Sequence, residues 1–224
     1  MYNLVKKICF ALMVVTLLSS CRQQASQKKI VTVSGIVPYK SESQLILDSD
    51  LIVTGTVSKI LDSKWSNEGF AKGEHISNIL QTDIVVKVSE VISGSCKNAG
   101  VVVRIDKGED EKTIVLSEGY PDFKVGENVL LFLARDDSDV ATDEDYYVLT
   151  GMKQGKYNVD KDKLNSQKNP DNNVVSYSNE NGTFNVNELK SRINQEIKEN
   201  PDYKQERQLE QKRIEEQNKM LFGD

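Results

Sequence analysis

The chain is poor in the residues that carry most protein chemistry: among 224 residues there are three cysteines, one histidine and one tryptophan. Three cysteines exclude a disulfide-dense scaffold. A single histidine falls short of a structural or catalytic zinc site, which takes three or four protein ligands. With 13 glycines and four prolines the chain is not collagen-like. Positive charge is not in excess either. Lys and Arg total 29 against 34 acidic residues, a net charge of −5, so a nucleic-acid partner, which needs a basic face, is not expected. There is no glycine-rich phosphate loop and no Gly-x-Ser-x-Gly elbow. Long apolar runs are scarce too. Ile8–Leu18 is broken only by Thr16, and as a helix it rises about 16 Å, well short of the roughly 30 Å hydrocarbon core of a bilayer. A multi-span membrane protein is excluded.

That one apolar run is informative by its place. Lys6 and Lys7 precede it, no acid lies before it, and the small residues Ser19 and Ser20 follow. A positive n-region, a short h-region and small residues spell a secretory signal over residues 1–20. Its end, Leu18-Ser19-Ser20-Cys21, resembles the bacterial lipobox. The resemblance implies cleavage between Ser20 and Cys21 and a diacylglycerol thioether on Cys21, with no other cofactor. Two acyl chains, at about 0.8 kcal/mol per buried methylene, anchor stably where one does not. The membrane is then the first expected partner, through the lipid. Removal of residues 1–20, which hold two lysines and no acid, takes the net charge from −5 to −7. Cys9 leaves with the signal and Cys21 is acylated, so Cys96 stands alone without an intramolecular disulfide. Lys-, Asn- and Ile-rich usage fits a low-GC Gram-positive cell, with the protein on the outer face of its membrane. Arg22 in place of Asp after the cysteine gives no inner-membrane retention signal for a Gram-negative host.

The mature chain divides into the lipidated cysteine and tether (residues 21–43), a β-rich domain (44–159), a loop (160–186) and C-terminal helices (187–221). Arg22–Lys29 is polar tether, and Ile30–Val37 suits a short edge strand. Gln44–Asp50 is long enough for one helical turn. In Leu51–Ile60, period-two alternation puts Leu51, Val53, Gly55 and Val57 on one face, taken as inward. Gly55 in mid-strand suggests a bulge or corner. Ile79–Ile92, Gly100–Asp106, Lys112–Ser117 and Val129–Leu133 are further strands, and Tyr146–Thr150 with Gly155–Val159 reads as a hairpin around Gly151. Val174–Tyr177 is a possible edge strand. Closely spaced strands with no long helix between them predict a mainly β fold, an antiparallel barrel of five or six strands with a C-terminal α-helical extension. In that extension Asn187 is a good N-cap, with Leu189, Ile193 and Ile197 on one face. Asp202–Leu221 is a second helix, polar enough to be exposed.

Four segments, in order, carry a resemblance: Asp50–Ile60 (DLIVTGTVSKI), Asp83–Cys96 (DIVVKVSEVISGSC), Phe123–Ala134 (FKVGENVLLFLA) and Tyr147–Val159 (YVLTGMKQGKYNV). Their pattern resembles an uncharacterised family of bacterial lipoproteins and is similar to the OB-fold barrel of netrin-type modules and tissue inhibitors of metalloproteinases. The resemblance covers about half of the chain and implies an OB-like barrel. In those inhibitors a free N-terminal cysteine meets the protease's zinc and disulfides hold it in place. Here Cys21 is expected to be lipidated and has no disulfide partner, so the inhibitory mechanism does not carry over.

The remaining candidates are few. His75, beside Glu74, is the only residue on which an envelope hydrolase reading can rest, and a surface loop position is its plain alternative. Cys96 has no nearby histidine to activate it. The acidic run Asp136, Asp137, Asp139, Asp143, Glu144 and Asp145 supplies oxygens of the kind calcium takes. It lacks the ordered spacing of a calcium loop, as does Asp160-Lys161-Asp162. Neither catalytic nor metal residues are therefore assigned. The Lys64–Phe70 loop, with Trp65 and Phe70, is the candidate interaction loop, since loop aromatics are enriched at interfaces. It is also where a protease-inhibitor-like module would have to make contact. The expectation is a lipid-anchored binding module with an envelope protein as partner.

Overall fold

The computed structural model describes residues 27–67, 78–138, 141–159, 176–180 and 182–222. The elements in chain order are β1 (Lys29–Val33), α1 (Glu42–Asp48), β2 (Leu51–Ile60), β3 (Lys64–Trp65), β4 (Leu80–Ser93), β5 (Gly100–Ile105), β6 (Gly108–Glu109), β7 (Thr113–Ser117), β8 (Asn128–Ala134), β9 (Tyr147–Leu149), β10 (Lys156–Val159), β11 (Ser176–Asn179), β12 (Gly182–Asn185), α2 (Val186–Glu199) and α3 (Tyr203–Phe222). The fold is mainly β, with a closed five-stranded barrel and helices at the C-terminal end.

The barrel runs β2-β4-β5-β9-β8 and closes by pairing of β8 with β2. This is the strand order of an OB-fold, the first strand pairing with the second and fourth. All its pairings are antiparallel except β5 with β9, where Val103 faces Tyr147 and Arg104 faces Val148 in parallel. Leu51, Val53, Val57, Ile84, Val86, Val103, Leu131 and Leu133 fill its interior. The expected inward face of β2 is the observed one. Gly55 sits where the β2–β4 register shifts, between Thr54 and Gly55. A Cβ there would lie 2.5 Å from the Lys87 carbonyl oxygen, so only a glycine lets the two backbones approach.

The other face of β2 and β8 is buried as well. Ile52, Leu130 and Phe132 meet Leu45 and Ile46 of α1, Tyr157 of β10, Tyr177 and Phe184 of the β11–β12 hairpin, and Leu189 and Ile193 of α2. Phe132 lies 5.8 Å from the Tyr157 ring and 5.4 Å from that of Phe184, both tilted, a geometry that suits the ring quadrupoles. Burial pushes the Tyr157 hydroxyl up to about 12. α1 starts on a capping box in which the Ser41 hydroxyl accepts from the Gln44 N–H and the Gln44 side chain accepts from the Ser41 N–H.

Several sequence expectations change. Tyr146–Thr150 and Gly155–Val159 are not a hairpin. β9 and β10 both run antiparallel to β8, β9 beside Leu133 and Ala134 and β10 beside Val129–Leu131. They form one strand interrupted by a 3-10 turn at Met152–Gly155. The Thr150 N–H still donates to the Phe132 carbonyl at 2.9 Å. Lys112–Ser117 contributes β7, but to a separate three-stranded sheet, β1-β7-β6, rather than to the barrel. Part of the 21–43 segment is likewise structured, since Lys29–Val33 pairs in parallel with Thr113–Ser117. Val174–Tyr177 belongs to the β11–β12 hairpin as far as it is described; the rest of the 160–175 loop lies outside the described residues.

The helix α2 is capped by Asn185, whose side chain accepts from the N–H groups of Asn187 and Glu188, and not by Asn187. An asparagine outside the first turn points its oxygen at free N–H groups; one inside that turn cannot. Leu189 and Ile193 are buried as expected, while Ile197 is half exposed. Among the described residues α3 meets the body in its first turns, where the Tyr203 hydroxyl donates to Asp48 at 2.8 Å and Arg207 donates to the Asp48 carbonyl at 3.0 Å. Among the described residues no helix is long and apolar enough to cross a membrane.

The crowding at Gly55 has a direct test. Gly55→Ala should lower stability by about 1–3 kcal/mol in urea unfolding. Gly35→Ala, where a Cβ meets nothing within 4 Å, should stay within about 0.5 kcal/mol. Equal effects would refute the close-approach account.

Candidate functional site

OB barrels take ligands over their second and third strands, between the loops joining strands one to two and four to five. In this chain those strands are β4 and β5, and the loops are residues 61–79 and 135–146. Asp83 on β4 and Arg104 on β5 are directly opposed in the ladder, on the outer face of the wall, because Val103 and Ile105 point inward. Arg104 is only 2% exposed. It donates through Nε to Asp83 Oδ1 at 2.7 Å and through Nη2 to Oδ2 at 2.9 Å, the two-pronged geometry that a guanidinium and a carboxylate share.

The second loop closes over this pair. Arg104 also donates to the Glu144 carboxylate and, at 3.3 Å, to the Thr142 hydroxyl, and the Tyr146 ring covers the guanidinium at 3.8 Å. The first loop joins through Lys64, whose ammonium is 2.8 Å from Glu144 and 3.4 Å from Asp83. Two cations and two carboxylates thereby link both loops to both strands. Burial works against the Arg104 charge, yet its hydrogen bonds to Asp83 and Glu144 outweigh that and raise its pKa. The hydrogen bonds from Lys64 and Arg104 hold the Glu144 carboxyl at about 2.

Three of the remaining acids of this loop face donors too. Asp136 accepts from the Tyr146 hydroxyl at 2.6 Å, Asp145 from Arg135 at 2.8 Å, and Asp137 lies 3.8 Å from Arg207 of α3. These contacts clasp the described part of the loop to the body, while Asp143 stays exposed. Among the described residues no three His, Cys, Asp or Glu side chains converge as metal ligands. Asp139 and Asp160–Asp162 lie outside the described residues.

Trp65 sits in β3, which pairs with Gln81 and Leu80 of β4. Its indole N–H donates to Asp110 Oδ2 at 2.9 Å, and Asp110 Oδ1 accepts from the N–H groups of Lys112 and Thr113 at 2.8 and 2.7 Å. The half-buried ring thus ties the first loop to the β6–β7 turn. Phe70, Glu74 and His75 lie outside the described residues, as do Ser20, Cys21 and the whole signal segment.

Cys96 is half-buried in the turn between β4 and β5, its thiol donating to the Asn98 carbonyl at 2.9 Å. It borders a cleft of about 420 Å³ with Asp50, Lys97, Arg135, Asp145 and Tyr147. Lys156, on β10, is buried, its ammonium 3.0 Å from Glu127 and 2.7 Å from Asn158. Burial lowers its pKa against the pull of Glu127. Sequence reasoning missed Asp83 and Arg104. An arginine in the otherwise apolar strand GVVVRI was the visible signal; which carboxylate stood opposite depended on the strand register, which the sequence alone does not fix.

No protein-family model matches the chain, and no curated protein matches it.

Removing Asp83 would leave Arg104 buried with half its pairing, so Asp83→Ala should cost about 3–5 kcal/mol in urea unfolding; a loss below about 1 kcal/mol overturns this account. The Glu144 carboxyl makes a separate prediction. Because its folded pKa is depressed, its contribution is complete above the ordinary value of 4.5 and is lost as pH falls toward about 2. Thermal melts of the wild type should fall through that window more steeply than those of Glu144→Gln. Parallel curves would contradict it.

Proposed function

We propose that the chain is a membrane-anchored lipoprotein of the extracytoplasmic face and that its OB-like barrel is a protein-binding module of the cell envelope. The anchor rests on Lys6, Lys7, the Ile8–Leu18 run and the Leu18–Cys21 lipobox, with lipid carried on Cys21 and cleavage after Ser20. The binding role rests on one observation above all: Lys64 and Glu144 join the two loops that rim the ligand face of an OB barrel, over a buried Asp83–Arg104 pair. The described part of the rim, held in this way, offers a fixed surface, and binding to a fixed surface loses little conformational freedom. Trp65, tied down by Asp110, supplies an aromatic beside it. The same segment was the expected interaction loop.

The test has two arms. Clickable palmitate should label the wild-type chain and fail to label Cys21→Ala; label on both, or on neither, overturns the anchor. A photo-crosslinking amino acid at position 65 should yield a discrete adduct with an envelope protein in living cells, absent when the crosslinker sits at position 197 of α2. The same products from both positions overturn the binding face.

A further inference from the structure

The anchor reading leaves open how the barrel is oriented over the membrane. The N-terminal segment bears on it. β1 is an edge strand, the outermost of β1-β7-β6. Lys29 is eight residues beyond Cys21, and a fully extended chain covers at most about 28 Å over that interval. The β1 edge is therefore kept close to any bilayer that holds the lipid. Beyond β1 the chain stays fastened: Gln154 accepts from the Lys40 N–H and donates to the Pro38 carbonyl, both at 2.9 Å.

Along this fastened segment large apolar side chains face water. Ile30 is 64% exposed, Val33 51%, Ile36 97% and Tyr39 74%. Nothing in the described fold covers them, and exposed apolar strips of this kind mark contact surfaces. The charge is also one-sided. Residues 22–41 hold Arg22, Lys28, Lys29 and Lys40 and no acid, in a chain of net charge −5. Lys28 lies 3.5 Å from Glu109, and Lys40 is paired with Asp48; Lys29 is exposed. Acids of the small sheet reach this segment at two points, Glu109 at Lys28 and Glu118, whose N–H donates to the Val33 carbonyl at 3.3 Å; Glu111 and Asp110 belong to the β6–β7 turn.

We propose that Lys29–Tyr39 lies against an anionic bilayer surface, with Ile36 and Tyr39 entering the headgroup layer, so that the lipid-anchored barrel is held in one orientation. The proposal rests on the anchor reading. An exposed lysine beside an acyl anchor is drawn toward an anionic surface, and a tyrosine at headgroup level keeps its ring in the apolar layer and its hydroxyl in water. Both contributions fade if the lipids are neutral or the segment is turned away.

The experiment uses the full lipidated chain in vesicles of phosphatidylglycerol and phosphatidylcholine. A fluorescent amino acid replaces Ile36 in one sample and the exposed Leu209 of α3 in another, and brominated lipids quench those near the bilayer. Quenching at position 36 should exceed that at position 209 at least twofold and should drop at least twofold on phosphatidylcholine alone. Equal quenching at the two positions, in chains that carry fatty-acid label on Cys21, overturns the proposal and leaves the anchor standing. Undiminished quenching on neutral vesicles overturns the role of the anionic lipid. Absence of label on Cys21 overturns the anchor instead. Ile30→Glu combined with Ile36→Glu, both at exposed positions, should leave the melting temperature unchanged and reduce quenching of a reporter at position 33.

Discussion

Strand β8 has no face that can meet water. Val129, Leu131 and Leu133 point into the barrel, and Leu130 and Phe132 point out of it. An antiparallel sheet ordinarily solvates one side, so a strand apolar on both faces demands a second cover. Here α1, α2 and the β11–β12 hairpin pack on that outer face, and β10, paired with β8 in the sheet, adds the Tyr157 ring to the same core. The helices and the late strands are thus lids for one wall of the barrel. The interrupted strand β9–β10 follows from the same demand. Its first half closes the barrel beside β5, and its second half, past the 3-10 turn, carries the sheet outward to β11.

Much of the barrel was legible because period-two alternation is a local signal. The inward set of β2 and the bulge at Gly55 could be read from LIVTGTVSKI alone. The outer core could not. VLLFL is apolar throughout, and a continuous run does not say what lies on either side of it. KTIVLS has the composition of a barrel strand, yet it pairs with β1; strand propensity fixes extension, not the partner. Asn185 and Asn187 are equally good caps by type, and only the position of the first free N–H groups separates them. The clasp of the loops was invisible for a related reason. Asp83 and Arg104 meet through a ladder register, and Lys64 and Glu144 are brought together by the closing of the barrel across 80 residues of chain.

The charges of this clasp differ in kind. The Asp83–Arg104 pair is shielded from solvent on the barrel wall, so salt screens it little. Lys64 and Glu144 are about half exposed, and the attraction between them weakens as the Debye length contracts. The buried pair fixes where the loops attach, and the exposed pair adjusts how firmly they close. In the described part of the acidic loop, three carboxylates meet the protein's own cations: Asp145 meets Arg135, Asp137 meets Arg207, and Glu144 is shared by Lys64 and Arg104.

The parallel pairing of β1 with β7 has a mechanical consequence. Any tension arriving through the N-terminal chain reaches Lys29 first, and Lys29–Val33 is joined to Thr113–Ser117 residue by residue. The small sheet therefore bears the load before any strand of the barrel does.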